Sequence, residues 1–157
     1  MNSVRVTTHG LEVHSTLSRS LLRGFSLVEL MVVLVIVGIL ATIGLPAYDE
    51  YVTRSRLTEA YSGLTTWQAN AEQFWSDNRT YVGFNIPATV SSSNFGFGAS
   101  NQSASAYLLT ATGTGTMAGF GFTIDQANAR VTTGVKAGWT APATNCWTND
   151  KSGTCLK

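Results

Sequence analysis

Few side chains in this sequence can do chemistry, and they are segregated. His9 and His14 are its only histidines, and both fall within the first 24 residues. Cys146 and Cys155 are its only cysteines and lie close together near the C-terminus. One carboxylate, Glu29, stands at the head of residues 30–48, a run without a charged side chain, and Arg19 and Arg23 precede it. Beyond residue 24, a Ser-His or Cys-His nucleophile pair and a histidine-ligated metal are both ruled out. Neither a G-x-G-x-x-G opening a helix after a strand nor a Walker-type motif occurs, and the glycine-rich stretch 113–121 reads as a turn between strands. The expectation is a protein with no catalytic residues, no cofactor and no metal. The cysteines have no second ligand pair for zinc. In an exported chain an even count reads as one disulfide, here closing the ten-residue CWTNDKSGTC loop. By loop-closure entropy that is worth ~2–3 kcal/mol.

Glu29 raises the sharper question, because a carboxylate resists insertion at the start of a membrane segment. A signal peptide would carry a shorter apolar region and a small-residue cleavage site after it. Here Asp49, Glu50, Tyr51 and Val52 follow instead. A membrane anchor of ~20 apolar residues fits residues 30–48, and the arginines before it hold that end in the cytoplasm. Hydropathy alone does not explain the acid.

Gly24-Phe25-Ser26-Leu27-Val28-Glu29 resembles the prepilin cleavage motif of the type IV pilins, and Gly38, Pro46 and Tyr48 stand where that family places a glycine, a proline and often an aromatic. The resemblance is tight over residues 23–56 and looser beyond. It is nearest to type IVa, and within it to the PilE-like minor pilins. It implies a prepilin leader at 1–24, cleavage by a prepilin peptidase between Gly24 and Phe25, and N-methylation of Phe25. Removing 24 of 157 residues leaves 133. The leader takes three of ten basic and one of nine acidic residues, so seven oppose eight afterwards. A leader of this length exceeds what is usual in type IVa, and no methionine occurs between Met1 and Met31 to offer a later standard start. Glu29 then acquires a partner. A buried unpaired carboxylate costs several kcal/mol, and the Phe25 ammonium of a neighbouring copy can neutralise it. Phe25 and Glu29 are therefore the expected assembly contact.

Residues 25–48 are expected to be the apolar half of one helix running from Phe25 to about Asp77. Residues 49–157 are expected to form the head. In the second half of the helix Leu57, Ala60, Leu64, Trp67, Ala71 and Phe74 recur at spacings of three and four, widened by Tyr61 and Trp75. Thr58, Glu59, Thr65, Thr66, Asn70 and Glu72 take the other faces. Gly38, Gly44 and Pro46 are a weak point, since a helical glycine costs ~1 kcal/mol and a proline ~3. A kink and the local unwinding that the resemblance implies for filaments both remain open there. Residues 81–105 read as a long connecting loop. Strands are expected at 107–112, 119–125 and 129–133, with Phe120, Phe122 and Ile124 on one face. The fold class expected is α+β, a type IV pilin fold: a long N-terminal helix on a small antiparallel sheet with a C-terminal disulfide loop.

The function implied is a structural pilus subunit of the minor kind, single-pass in the inner membrane with its head in the periplasm, and extracellular once assembled. Adhesion, twitching motility and DNA uptake are the roles such filaments serve. Its partners would be other pilin subunits through their N-terminal helices, the prepilin peptidase, the inner-membrane assembly machinery, and membrane lipid before assembly. A secretion pseudopilin and a DNA-binding pilin are the alternatives. DNA binding requires Arg79, Arg130, Lys136, Lys151 and Lys157 to converge on one face, and the residues give it no support.

Overall fold

The computed structural model describes residues 24–87 and 90–156. The expected leader at 1–23 lies outside the described residues, and so does Lys157. The chain divides into two units, Met1–Ile39 and Leu40–Lys157.

One helix, α1 (Leu27–Asn78), carries most of the regular structure. In the first unit its apolar side chains are all exposed. A helix apolar all round has no polar face to give to water, so it belongs among lipid or other helices. Its most apolar 18-residue window has a mean hydropathy of 2.7 and none of it is buried.

In the second unit the expected stripe is found. Leu57, Ala60, Tyr61, Leu64 and Ala71 are buried, and Trp67, Phe74 and Trp75 are half-covered against the same core. The cover is a four-stranded antiparallel meander in the order β1-β2-β3-β4. The strands are β1 (Phe95–Ser100), β2 (Leu108–Gly113), β3 (Gly121–Asp125) and β4 (Arg130–Gly134). Three of them match the expected strands to within two residues. β1 corrects the reading of residues 81–105 as loop throughout. Phe95, Phe97 and Ala99 do alternate with Gly96, Gly98 and Ser100, but glycine is a poor strand former and hides the period. Pairing with β2 over six residues, Phe95↔Gly113 to Ser100↔Leu108, supplies what propensity lacks.

Phe120, Phe122 and Ile124 face inward with Phe95, Leu109 and Ala111. The Tyr61 ring meets Phe122 edge-on at 5.1 Å. Gly63 explains how closely helix and sheet approach: a Cβ there would overlap the Phe97 ring and force it to shift. Glu72 ties the loop after the helix back to it, accepting hydrogen bonds from the Tyr81 hydroxyl at 3.0 Å and the Tyr107 hydroxyl at 2.9 Å. Burial and the neighbouring Glu72 carboxylate push the Tyr107 phenol well above its ordinary range. α1 ends at Arg79, whose positive φ of 57° is unusual for a residue with a Cβ. Its guanidinium lies 5.2 Å over the Trp75 ring, and that contact helps hold the conformation.

Candidate functional site

In the first unit, Gly24, Phe25, Ser26 and Glu29 line a single recess at the start of α1. Gly24, Phe25 and Ser26 precede the helix, and the Leu30 amide already donates to the Ser26 carbonyl at 3.1 Å. Glu29 is the acidic residue of the first helical turn, where the helix dipole favours negative charge. Ser26 and Glu29 also have the spacing of a capping box, in which the acid serves its own helix end. Phe25 is 81% exposed. The arrangement presents a junction that a protease can reach, with a carboxylate one turn away.

Gly38, Gly44 and Pro46 all lie inside α1, which runs through them uninterrupted. A Cβ placed on Gly38 or Gly44 would meet nothing within 4 Å. The packing of the described residues does not require either glycine.

The second unit holds the tail. Cys146 and Cys155 are bridged, with Cα atoms 5.6 Å apart, within the span that a disulfide can close. The bridge sits on a small hairpin in which the Leu156 amide donates to the Trp147 carbonyl at 2.8 Å and Thr148 pairs with Cys155. Asp150 turns that hairpin. It accepts from the Ser152 hydroxyl at 2.7 Å and from the Ser152 and Thr154 amides at 3.0 Å. These donors, the Ser152 hydroxyl first, pull its carboxyl down to about 2.

The tail is nailed to the rest of the head through Trp147. Its indole stacks on Tyr61 at 5.1 Å and its Nε1 donates to the Thr123 carbonyl at 2.9 Å. The Tyr61 hydroxyl donates to the Thr148 carbonyl. Thr132 on β4 donates to the Cys146 carbonyl at 2.7 Å and accepts from the Thr148 amide at 3.0 Å. The Arg130 guanidinium also lies over the indole, 4.8 Å from the ring centre. In the sequence Trp147 is one residue of the cysteine loop and Arg130 one of the cations that DNA binding would require. Residues so far apart in the chain leave no local signal of a stack.

Among the described candidate cations, Arg79 stands apart from Lys136. Lys136 donates to Thr53 at 3.1 Å, whereas Arg79 follows the far end of α1, roughly 37 Å away by helical rise. Arg130 is on Trp147, and Arg56 donates to Thr116 at 2.7 Å. Lys136 and Lys151 share a cleft.

The family described as type IV minor pilin ComP, DNA uptake sequence receptor, matches residues 46–121, and the prokaryotic N-terminal methylation motif matches residues 20–45. Fimbrial protein EcpC of Eikenella corrodens is 38% identical over 71 residues, covering 45% of this chain and 46% of that protein. A fimbrial protein of Neisseria meningitidis serogroup A is 41% identical over 74 residues, covering 47% of this chain and 44% of that protein. One from Moraxella nonliquefaciens is 52% identical over 47 residues, covering 28% and 30%. The chain thus spans less than half the length of these relatives. No solved structure matches. The methylation motif ends where the pilin match begins, the first on the recess and apolar helix and the second on the head, and the chain belongs to the type IV pilins.

Proposed function

We propose that this protein is a structural subunit of a type IV pilus, of the minor kind, held in the inner membrane by residues 25–48 until it enters the filament. The observation that carries the reading is a bare apolar helix beginning at a processing motif. The large apolar side chains of residues 27–39 are all exposed, and the methylation motif spans the Gly24-Phe25 junction. Such a segment needs lipid first and the same segments of other subunits afterwards. The prepilin peptidase and the inner-membrane assembly machinery are the partners this route requires. The head stands in the periplasm before assembly and outside the cell after it. Mass spectrometry of pilus and membrane fractions should find the mature chain beginning at N-methylated Phe25. A mature chain beginning at Met1, or one cut after residue 48, overturns the proposal.

The match to a DNA uptake receptor over residues 46–121 favours a second reading, in which the head also contacts DNA. Arg79 and Lys136 are too far apart to share one contact, so they would meet the phosphate backbone separately and binding should be salt-dependent. Arg130 lies over the Trp147 ring, 4.8 Å from its centre, and is the cation to substitute. Duplex binding by the processed full-length protein in detergent should weaken with salt. Arg130→Gln should lower the slope of log affinity against log salt by about one. Binding insensitive to salt, or to that substitution, removes this reading.

A further inference from the structure

A cleft in the second unit is walled on one side by Pro46, Asp49, Glu50 and Thr53 of α1. Lys136, Trp139 and Lys151 wall the other. The fold brings these lysines there by specific means. After β4 the chain turns at residues 136–139, where the Trp139 amide donates to the Lys136 carbonyl at 3.1 Å. Gly138 at φ 81° takes the third position, which a type II turn reserves for glycine. Lys136 reaches Thr53 at 3.1 Å and lies 5.9 Å from the Phe120 ring centre. Lys151 comes from the disulfide hairpin, its carbonyl accepting from the Thr140 amide at 3.0 Å. Two lysines and two acidic residues thus line one hollow of about 180 Å³. Yet among the described residues no ion pair within 4.0 Å joins either lysine to either acid. Opposite charges drawn to one cleft and left unpaired with each other are charges available to a ligand that bears both signs.

The position of the cleft in the chain identifies that ligand. Immediately before Asp49, residues 40–48 are an exposed apolar stretch of helix that includes Leu40, Ile43, Leu45 and Tyr48. The cleft therefore opens where the apolar run ends. Given the membrane anchoring proposed above, on which this inference rests, that level is the lipid headgroup layer. Tyr48 and Trp139 are the aromatic types enriched there. We propose that the cleft binds a phospholipid headgroup carrying a phosphate and a primary ammonium. Lys136 and Lys151 take the phosphate, and Asp49 and Glu50 take the ammonium. Its volume is below the ~300 Å³ at which sites for drug-sized ligands begin, which suits a headgroup better than a whole lipid. A purely anionic headgroup would leave two carboxylates facing negative charge. A trimethylated ammonium has no N–H to donate to them and forfeits the charge-assisted hydrogen bonds.

The test uses the full-length processed protein reconstituted in phosphatidylcholine vesicles doped with either phosphatidylethanolamine or phosphatidylglycerol. Lipid retained after mild detergent extraction is counted by native mass spectrometry. The wild-type protein should retain phosphatidylethanolamine over both others. Lys151→Gln should lower that retention about fivefold, the scale of one lysine at a lipid surface. Asp49→Asn with Glu50→Gln should abolish the preference over phosphatidylglycerol while sparing retention of it. Because Lys136 also supports Thr53, Lys151→Gln is the cleaner of the lysine variants, and an unchanged urea unfolding midpoint confirms its fold. Equal retention of all three lipids by protein that floats with the vesicles overturns the cleft and leaves the membrane reading standing. Protein that fails to float overturns both. Phosphatidylglycerol retained above phosphatidylethanolamine shows that the lysines act alone and overturns the proposal. The proposal also falls if the charge variants lose filament incorporation with lipid retention unchanged, because the cleft is then a subunit contact.

Discussion

Glu29→Ala protein is expected to be cleaved normally after Gly24, to accumulate in the membrane, and to be nearly absent from sheared filaments. Two roles compete for this residue, and their magnitudes separate them. As the acid of a capping box with Ser26, Glu29 would stabilise its own helix end by about 1 kcal/mol. Losing that is worth a factor of about five. As partner to the Phe25 ammonium of a neighbouring subunit, its removal strands a charge in an apolar bundle at a cost of roughly 3–5 kcal/mol. That is a factor of hundreds or more in the docking equilibrium. Insertion itself should become easier without the charge, so poor insertion cannot account for the loss. Glu29→Gln decides between the roles, because glutamine serves in a capping box but cannot neutralise an ammonium. It should fail as alanine does. Glu29→Asp keeps the charge on a shorter arm and should be intermediate. The ratio of mutant to wild-type subunit in sheared pili, at matched membrane levels, is the measurement. A Glu29→Gln subunit incorporated at the wild-type ratio would assign the acid to its own helix.

The helix was legible because its signal is local and repeated. Leu57, Ala60, Leu64 and Ala71 fall on one face by spacing alone, and all are buried. β3 was legible for the same reason, through Phe122 and Ile124. β1 was not, because half its residues are small and its conformation is held by β2 across a connection that reads as loop. Gly63 carried a signal that went unread. A glycine inside an amphipathic helix costs ~1 kcal/mol against alanine, and the close approach of Phe97 is its reason. At the candidate site, the residues that line the recess, Gly24, Phe25, Ser26 and Glu29, fall within six contiguous positions. The cleft between Asp49, Glu50, Lys136 and Lys151 could not, because the helix that forms one wall and the two segments that form the other are more than 80 residues apart in the chain. The same holds for the stack of Arg130, Trp147 and Tyr61, in which no two members are near in sequence. Periodicity reports which face is covered and is silent about what covers it.

That stack carries the second large effect. Trp147→Ala should destabilise the head more than opening the Cys146–Cys155 bridge does. The disulfide closes a short loop and contributes ~2–3 kcal/mol through the unfolded chain. Trp147 is 1% exposed, and truncating a buried tryptophan costs about 3–5 kcal/mol. The indole does three things at once: it fills space against Tyr61, caps the Thr123 carbonyl, and supports the Arg130 guanidinium. Small domains hold only about 5–15 kcal/mol in all, so the substitution should bring the head close to unfolding while reduction leaves it folded. Trp147→Phe keeps a ring on Tyr61 and loses the hydrogen bond, so it should fall between the wild type and alanine. Urea titration of the full-length protein, followed by aromatic near-ultraviolet signal with the bridge intact and reduced, gives the comparison. The two losses should also fall short of additive, because a hairpin already freed from Tyr61 and Thr123 has less structure for the bridge to hold. A smaller loss from Trp147→Ala than from reduction would make the covalent bond, and not the indole, the chief fastening of the tail.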